Sequence, residues 1–224
     1  MENQAIKQTE IIVVLDRSGS MGSISQSTVE GFNTFLKEQK NAEGEAFMTL
    51  IQFDDRYEVN YKSMPIKDVP ELIVGESYIP RGTTALYESV GRTINELQTD
   101  RDVVFVIITD GYDNVKSEYN AESIKKMVET LEKENDWKFL YLGANQDAVM
   151  AGGKLGVQAS NSMSWAATAD GIGNTFYAMS ANIGTYRSAK VSYSADSGED
   201  IKTYLSKEKS KLDFSEDQRK KSAQ

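Results

Sequence analysis

The 224-residue chain contains neither cysteine nor histidine. Without cysteine it has no disulfide, so nothing in its composition supports secretion. Without histidine, Ser-His-Asp and Cys-His catalysis within the chain are excluded, as are ordinary zinc sites. Its longest apolar stretches, residues 11–15 and 103–108, fall far short of the roughly 20 residues of a membrane-spanning helix. Since the N-terminus also has no apolar signal core, we expect a cytoplasmic protein without a membrane segment.

Basic residues are fewer than acidic ones, and the net charge is −9. An acidic chain repels the phosphate backbone, which argues against nucleic acid as a partner. The contents of 39% apolar and 26% charged residues are typical of a globular protein. The length suits one α/β domain with a short appendage.

Residues 11–20, Ile-Ile-Val-Val-Leu-Asp-Arg-Ser-Gly-Ser, are the most informative stretch. Five consecutive apolar residues predict a strand that is buried on both faces. The strand ends at Asp16, and the hydroxyls of Ser18 and Ser20 follow at a spacing of two. In parallel α/β sheets ligands bind where strands end and helices begin. One carboxylate and two neutral oxygens at such a place suit a hard cation such as Mg²⁺.

Two later segments extend this pattern. Residues 82–90, Gly-Thr-Thr-Ala-Leu-Tyr-Glu-Ser-Val, place Thr83 and Thr84 before the start of a predicted helix. Residues 103–111 form a second apolar strand that ends in Thr-Asp-Gly, with Asp110 at its end. Together with Asp-x-Ser-x-Ser, these ordered segments resemble the von Willebrand factor A (vWA) family and its metal-ion-dependent adhesion site (MIDAS). The resemblance covers roughly residues 8–188, and we expect a bacterial or phage-type intracellular member of the family.

The resemblance implies a fold and a site. The fold is a Rossmann-like, doubly wound α/β fold with helices on both faces and a mostly parallel sheet that has one antiparallel edge strand. Asp16, Ser18 and Ser20 are implied to bind the metal directly or through water, and Asp110 often through water. For the remaining ligand we favour Thr84, which aligns on the following Ala-Leu, over Thr83.

The implied cofactor is Mg²⁺, with Mn²⁺ or Ca²⁺ as alternatives. The family implies a protein-binding module rather than an enzyme: a partner protein supplies a Glu or Asp to the metal. Intracellular relatives often act beside AAA+ ATPases. One alternative is a phosphatase-like, metal-dependent hydrolase, but Ser18 stands where such enzymes need a second Asp as acid or base. Another alternative is a structural subunit with a vestigial site.

The chain divides into a polar lead-in at residues 1–9, a domain at 10–189 and a charged tail at 190–224. Hydrophobic periodicity predicts helices at about 24–40 and near residues 86–97, 124–131 and 172–186. Strands are predicted at 46–53, 57–61, 101–109 and 137–142, with a short edge strand near Val157. The tail pattern fits either a docked helix or disorder. We further expect Arg17 to face the rim of the site, and Asp54 and Asp113 to be solvated loop acids.

Overall fold

The computed structural model describes residues 8–144, 146–193 and 199–224. The strands are β1 Thr9–Asp16, β2 Ala46–Phe53, β3 Tyr57–Pro65, β4 Asp102–Thr109, β5 Lys138–Ala144 and β6 Ser162–Trp165. The helices are α1 Ser25–Asn41, α2 Leu86–Glu96, α3 Ala121–Glu134, α4 Ala148–Lys154, α5 Ala169–Val191, α6 Ile201–Glu208 and α7 Glu216–Ser222.

The strands form one sheet in the order β3-β2-β1-β4-β5-β6. Only β3 runs antiparallel to its neighbour, and it lies at the edge. All residues of β1 and β4 are buried, as expected for central strands that are covered on both faces. The sheet therefore confirms the predicted α/β architecture with a single antiparallel edge strand.

Alternation along β1 sends successive side chains into two separate cores. Ile11 and Val13 pack with Phe32 of α1 and with the apolar side of α5. Ile12 and Val14 pack in a second cluster with residues of α2 and α3. Helices therefore cover both faces of the sheet, as predicted. The apolar stripe of α5 is buried against the sheet and α1, so its role is packing; its members are Ile172, Phe176, Met179, Ile183 and Tyr186.

The position predicted for the last edge strand is wrong. The strand begins at Ser162, whereas Val157 lies in the connection after α4, with its side chain buried in the second core. A single apolar residue after Gly156 gave a signal for burial but none for strand conformation. The real strand, Ser-Met-Ser-Trp, is four residues long and gives only weak periodicity.

The tail contains α6 and α7, and Leu212 and Phe214 between them join the first core. The Arg219 guanidinium donates to the carbonyl oxygens of Ala159 and Ser160, at 2.9 Å each, and to that of Ser162. The tail thereby covers carbonyls beside the outer edge of β6, which would otherwise be an open sheet edge. The boundary at residue 189 stays a prediction, and residues 1–7 of the lead-in lie outside the described residues. No helix in the described ranges is long and apolar enough to cross a membrane.

A buried ionic cluster joins α5 to the amino ends of the strands. The Asp102 carboxylate accepts hydrogen bonds from Tyr186 at 2.7 Å and Lys190 at 2.8 Å, and it pairs with Lys138. Lys190 also donates to the Thr9 hydroxyl at 3.0 Å. Burial tends to raise the pKa of Asp102, but the two ammonium groups hold it below its ordinary value of 3.8.

We predict that Asp102→Asn destabilises the protein by about 3–5 kcal/mol, because two buried ammonium groups lose their counterion. Since the pKa of Asp102 is depressed in the folded state, its contribution to the free energy of unfolding is complete above the pKa of Asp in the unfolded chain, about 3.9. This contribution is lost as the pH falls below that value and through the folded-state pKa. Urea denaturation at neutral and acidic pH measures both effects. Glu122→Gln, at an exposed ion pair on α3, is the control. An equally small loss in both variants would contradict a stabilising role for the cluster.

Candidate functional site

The candidate site lies where the strand order reverses. From β1 the chain proceeds to β2 and β3 on one side of the sheet, and from β4 to β5 and β6 on the other. The loops after β1 and β4 therefore diverge and leave a crevice at the carboxyl ends of these two strands. In open α/β sheets this switch point is where ligands bind. The sequence-predicted site residues lie on the loops that surround it.

Asp16 ends β1, and its side chain is fully buried. One carboxylate oxygen accepts the backbone N–H of Ser18 at 2.6 Å, and the other accepts the Thr109 hydroxyl at 2.6 Å. Burial raises the pKa of Asp16 to about 6, although these hydrogen bonds oppose the rise. The nearby charge of Asp110 adds to it. The site therefore holds a carboxylate that is costly to ionise without a neighbouring positive charge.

The hydroxyls of Ser18 and Ser20 connect this carboxylate to the second one. Their Oγ atoms lie 3.1 Å apart, and Ser20 Oγ donates to Asp110 Oδ1 at 2.7 Å. Ser18 is buried, Ser20 is exposed, and partial burial raises the pKa of Asp110. The structure thus brings Asp16, Ser18, Ser20 and Asp110 together, with the exposed end of the group at Ser20.

The structure also separates the two threonines. Thr84 is buried, and its Oγ1 lies against Gly111. If residue 111 had a side chain, its Cβ would be 3.4 Å from this oxygen. Its backbone N–H donates to Asn114 Oδ1 at 2.8 Å, and its carbonyl accepts the Asn114 N–H at 3.1 Å. Thr83 is exposed. Thr84 is therefore the threonine held beside Gly111, next to Asp110.

Arg17 and Asp54 do not lie where the sequence analysis expected them. Arg17 is 3% exposed and does not face the rim, and Asp54 is fully buried instead of solvated. Asp54 Oδ2 accepts Arg17 Nε at 3.0 Å and Arg81 Nε at 2.8 Å, while Arg17 also pairs with Glu58 at 2.8 Å. Burial opposes ionisation of Asp54. The hydrogen bond that its carboxylate accepts from the Arg56 backbone N–H, and the charges of Arg17 and Arg81, nevertheless lower its pKa. This ion cluster fixes the loops beneath the site.

Other groups that position the site went unrecognised in the sequence. Thr109 orients Asp16, as described above, and the buried Tyr78 donates its hydroxyl to the Asp16 carbonyl at 2.8 Å. Asp113 accepts the backbone N–H of Tyr87 near the start of α2 at 2.9 Å, so it caps that helix and is only partly exposed. Thr109 had a signal, since it directly precedes Asp110. Tyr78 is distant in sequence from both strand ends and had none, and Asn114 lies near Asp110 but belongs to no recognised motif.

The donor set fits a hard divalent cation. It consists only of carboxylate and hydroxyl oxygens, the ligands that such cations prefer. One Asp16 oxygen accepts the Ser18 N–H and the other accepts the Thr109 hydroxyl, and a carboxylate has about four lone-pair sites, so capacity remains for a further contact. Only two carboxylates are involved, and the described residues contain no group of three or more His, Cys, Asp or Glu side chains that could hold a metal. Any metal here would depend on the hydroxyls.

The family model described as VWA domain containing CoxE-like protein matches residues 2–134. This match covers more than half of the chain and all five candidate ligands. The chain belongs to this family. No curated protein sequence matches the chain significantly.

Solved vWA structures show the same fold at low sequence identity. Proximal thread matrix protein 1 (PTMP1) from the mussel byssus matches with a TM-score of 0.56 and 14% identity over 76% of this chain and 46% of that one. The ArnB paralog VWA2 from Sulfolobus acidocaldarius matches at 0.55 and 13%, over 79% and 45%. A von Willebrand factor type A protein from Catenulispora acidiphila matches at 0.53 and 14%, over 80% and 43%. The chain therefore spans less than half the length of these proteins. Another PTMP1 structure has a zinc-occupied MIDAS motif.

We predict that Asp54→Ala destabilises the fold by about 3–5 kcal/mol, because it leaves the buried Arg17 guanidinium without its main counterion. Asp55→Ala removes the adjacent, exposed carboxylate and serves as a matched control. Chemical denaturation of both variants measures the difference. Equal stabilities would mean that the buried ion cluster does not support the loops.

Proposed function

We propose that this vWA chain is a metal-dependent protein-binding module that captures a Glu or Asp side chain of a partner protein. The observation that carries the proposal is the group formed by Asp16, Ser18, Ser20 and Asp110 at the switch point. Within this group, Ser20 Oγ lies within hydrogen-bond distance of both Ser18 Oγ and Asp110 Oδ1. Thr84 completes the proposed ligand set.

The residues have distinct roles under this proposal. Asp16 supplies the buried negative charge, and Thr109 holds it in orientation. Ser18, Ser20 and Thr84 supply neutral oxygens, so the protein contributes little negative charge beyond the two aspartates. A bound divalent cation would supply Lewis acidity and an open position for a carboxylate oxygen. Mg²⁺ is the proposed cation, with Mn²⁺ or Ca²⁺ as substitutes, and the zinc-occupied MIDAS of PTMP1 supports a divalent metal in general.

A protein partner is favoured by the surroundings of the site. Tyr112, two residues after Asp110, is 57% exposed. Exposed aromatic side chains are enriched at protein interfaces. The family resemblance extends the proposal to a partner within an AAA+ ATPase system.

The proposal assigns no catalytic role to the site. The chain has no histidine, and Ser18 stands where a phosphatase would need a second carboxylate for proton transfer. Hydrolysis of phosphoesters that depends on Asp16 would favour the alternative of a metal-dependent hydrolase. A structural subunit with a vestigial site would neither bind metal nor need it for any partner.

We predict that Mg²⁺ or Mn²⁺ raises the melting temperature of the wild type but not of Asp16→Ala. At a free metal concentration 100-fold above Kd, metal binding to the native state adds about 2.7 kcal/mol to the free energy of unfolding. Thermal melting with EDTA and then with metal measures the response. Thr84→Val should weaken the metal response and Thr83→Val should not, because only Thr84 is buried beside the site. An equal response in Asp16→Ala and wild type would refute the assigned ligands.

We predict that partner binding requires the metal and tolerates moderate salt. The acidic chain repels an acidic partner segment at long range, and salt screens this repulsion over a Debye length of about 8 Å. A direct metal–carboxylate contact is short and much less screened. Affinity capture with Mg²⁺ or EDTA identifies the partner, and titrations at low and high NaCl follow. Binding that survives EDTA and falls steeply with salt would place the interface elsewhere.

A further inference from the structure

A groove of about 310 Å³ lies between α1 and α5, on the face of the sheet that carries the first core. Ser27 stands at its α1 end nearest the loop after β1, and Glu38 lies three turns further along α1. Its volume is within the range of about 300–1,000 Å³ that is typical of ligand sites. The proposed metal-binding residues take no part in its lining.

Two glycines on the facing helices, Gly31 and Gly173, line the groove. A Cβ on Gly31 would lie only 2.4 Å from Cδ2 of Phe176, so α1 and α5 pack closely at this point. One turn earlier on α5, a Cβ on Gly173 would meet no atom within 4 Å. Toward the N-terminus of α5, the close contact with α1 therefore ends at Phe176, and open space begins at Gly173.

The lining combines aromatic surface with negative charge. Tyr177 stands at the side with 66% of its surface exposed and supplies the accessible aromatic ring, whereas the rings of Phe35 and Phe176 lie beneath the groove and are buried in the core. Glu30, Glu38 and Asp170 are the charged lining residues, and no Lys or Arg is among the described residues that line the groove.

These three carboxylates are exposed, and no ion pair within the described part of the chain involves any of them. The basic Lys221 of α7 comes near Tyr177, but its ammonium pairs with Asp217 at 2.8 Å. The groove therefore presents uncompensated negative charge beside the exposed ring of Tyr177.

We propose that this groove binds a basic segment of a partner protein and inserts one of its Arg or Lys side chains between α1 and α5. The aliphatic stem of such a side chain can pack on the exposed ring of Tyr177, since long basic side chains bury their stems while the charged end stays in water. A guanidinium or ammonium group attracts both the carboxylates and the face of an aromatic ring. The net charge of −9 also favours the approach of a basic segment at long range.

The test uses the full chain, a fluorescein-labelled hexa-arginine peptide and fluorescence anisotropy in low-salt buffer with EDTA. EDTA removes any contribution from the proposed metal site, so the outcome is independent of the proposed function. Glu30→Gln with Glu38→Gln should weaken binding about tenfold, through loss of two charge-assisted contacts. Glu122→Gln with Glu129→Gln makes the same charge change on the exposed face of α3 and should weaken it less than about twofold.

Gly173→Leu provides the steric test, because it fills the open space and leaves every charge in place. Binding should fall at least about tenfold, while the melting temperature stays the same or rises, since glycine is unfavourable within a helix. Equal weakening in both double variants, or unchanged binding by Gly173→Leu, would overturn the proposal. Self-association in sedimentation that Gly173→Leu abolishes would also overturn it and assign the groove to a second copy of the chain.

Discussion

The pairing of β1 with β4 is the contact on which the candidate site depends. Leu15 lies opposite Ile108, so the two strands end side by side and bring Asp16 and Asp110 to the same crevice. Both strands are buried along their whole length, which fixes their register and leaves the carboxylates little freedom to move apart. The repulsion between them is tolerated because hydroxyl and backbone donors surround them: Ser18 N–H, Thr109 and Ser20. Two carboxylates held together at a switch point support the proposal that this site receives a positive charge.

Long periodic segments made most of the fold predictable from the sequence. The apolar runs of β1 and β4 and the stripe of α5 each commit many residues to burial, and each was found where it was predicted. The strand β6 was misplaced because four residues carry too little periodicity to outweigh a neighbouring valine. The proximity of the candidate ligands was predictable because three of them lie within five residues at a strand end, while their role as metal ligands stays a prediction. Arg17 and Asp54 were misjudged because their burial depends on Arg81 and Glu58, whose approach only the folded chain reveals.

Buried ion clusters stand at both ends of the sheet. At the carboxyl end Asp54 lies between Arg17 and Arg81, and at the amino end Asp102 lies between Lys138 and Lys190. Such clusters contribute little net stability compared with apolar packing, because desolvation opposes the Coulombic attraction. They do impose geometry, since removing one member leaves an unpaired buried charge. Their effect is therefore to hold loops and α5 in one arrangement, and the carboxyl-end cluster does this directly beneath the candidate site.

The distribution of charge sets a condition on any partner. An acidic chain that is proposed to capture a partner carboxylate must overcome its own long-range repulsion, and the metal does so only at contact distance. A partner that also carries basic residues would be attracted before the metal contact forms. The α1–α5 groove, with Glu30 and Glu38, begins near the loop that follows β1. A partner surface with one exposed carboxylate beside a basic segment would thus match both features, with attraction over distance at the groove and a short, weakly screened contact at the metal.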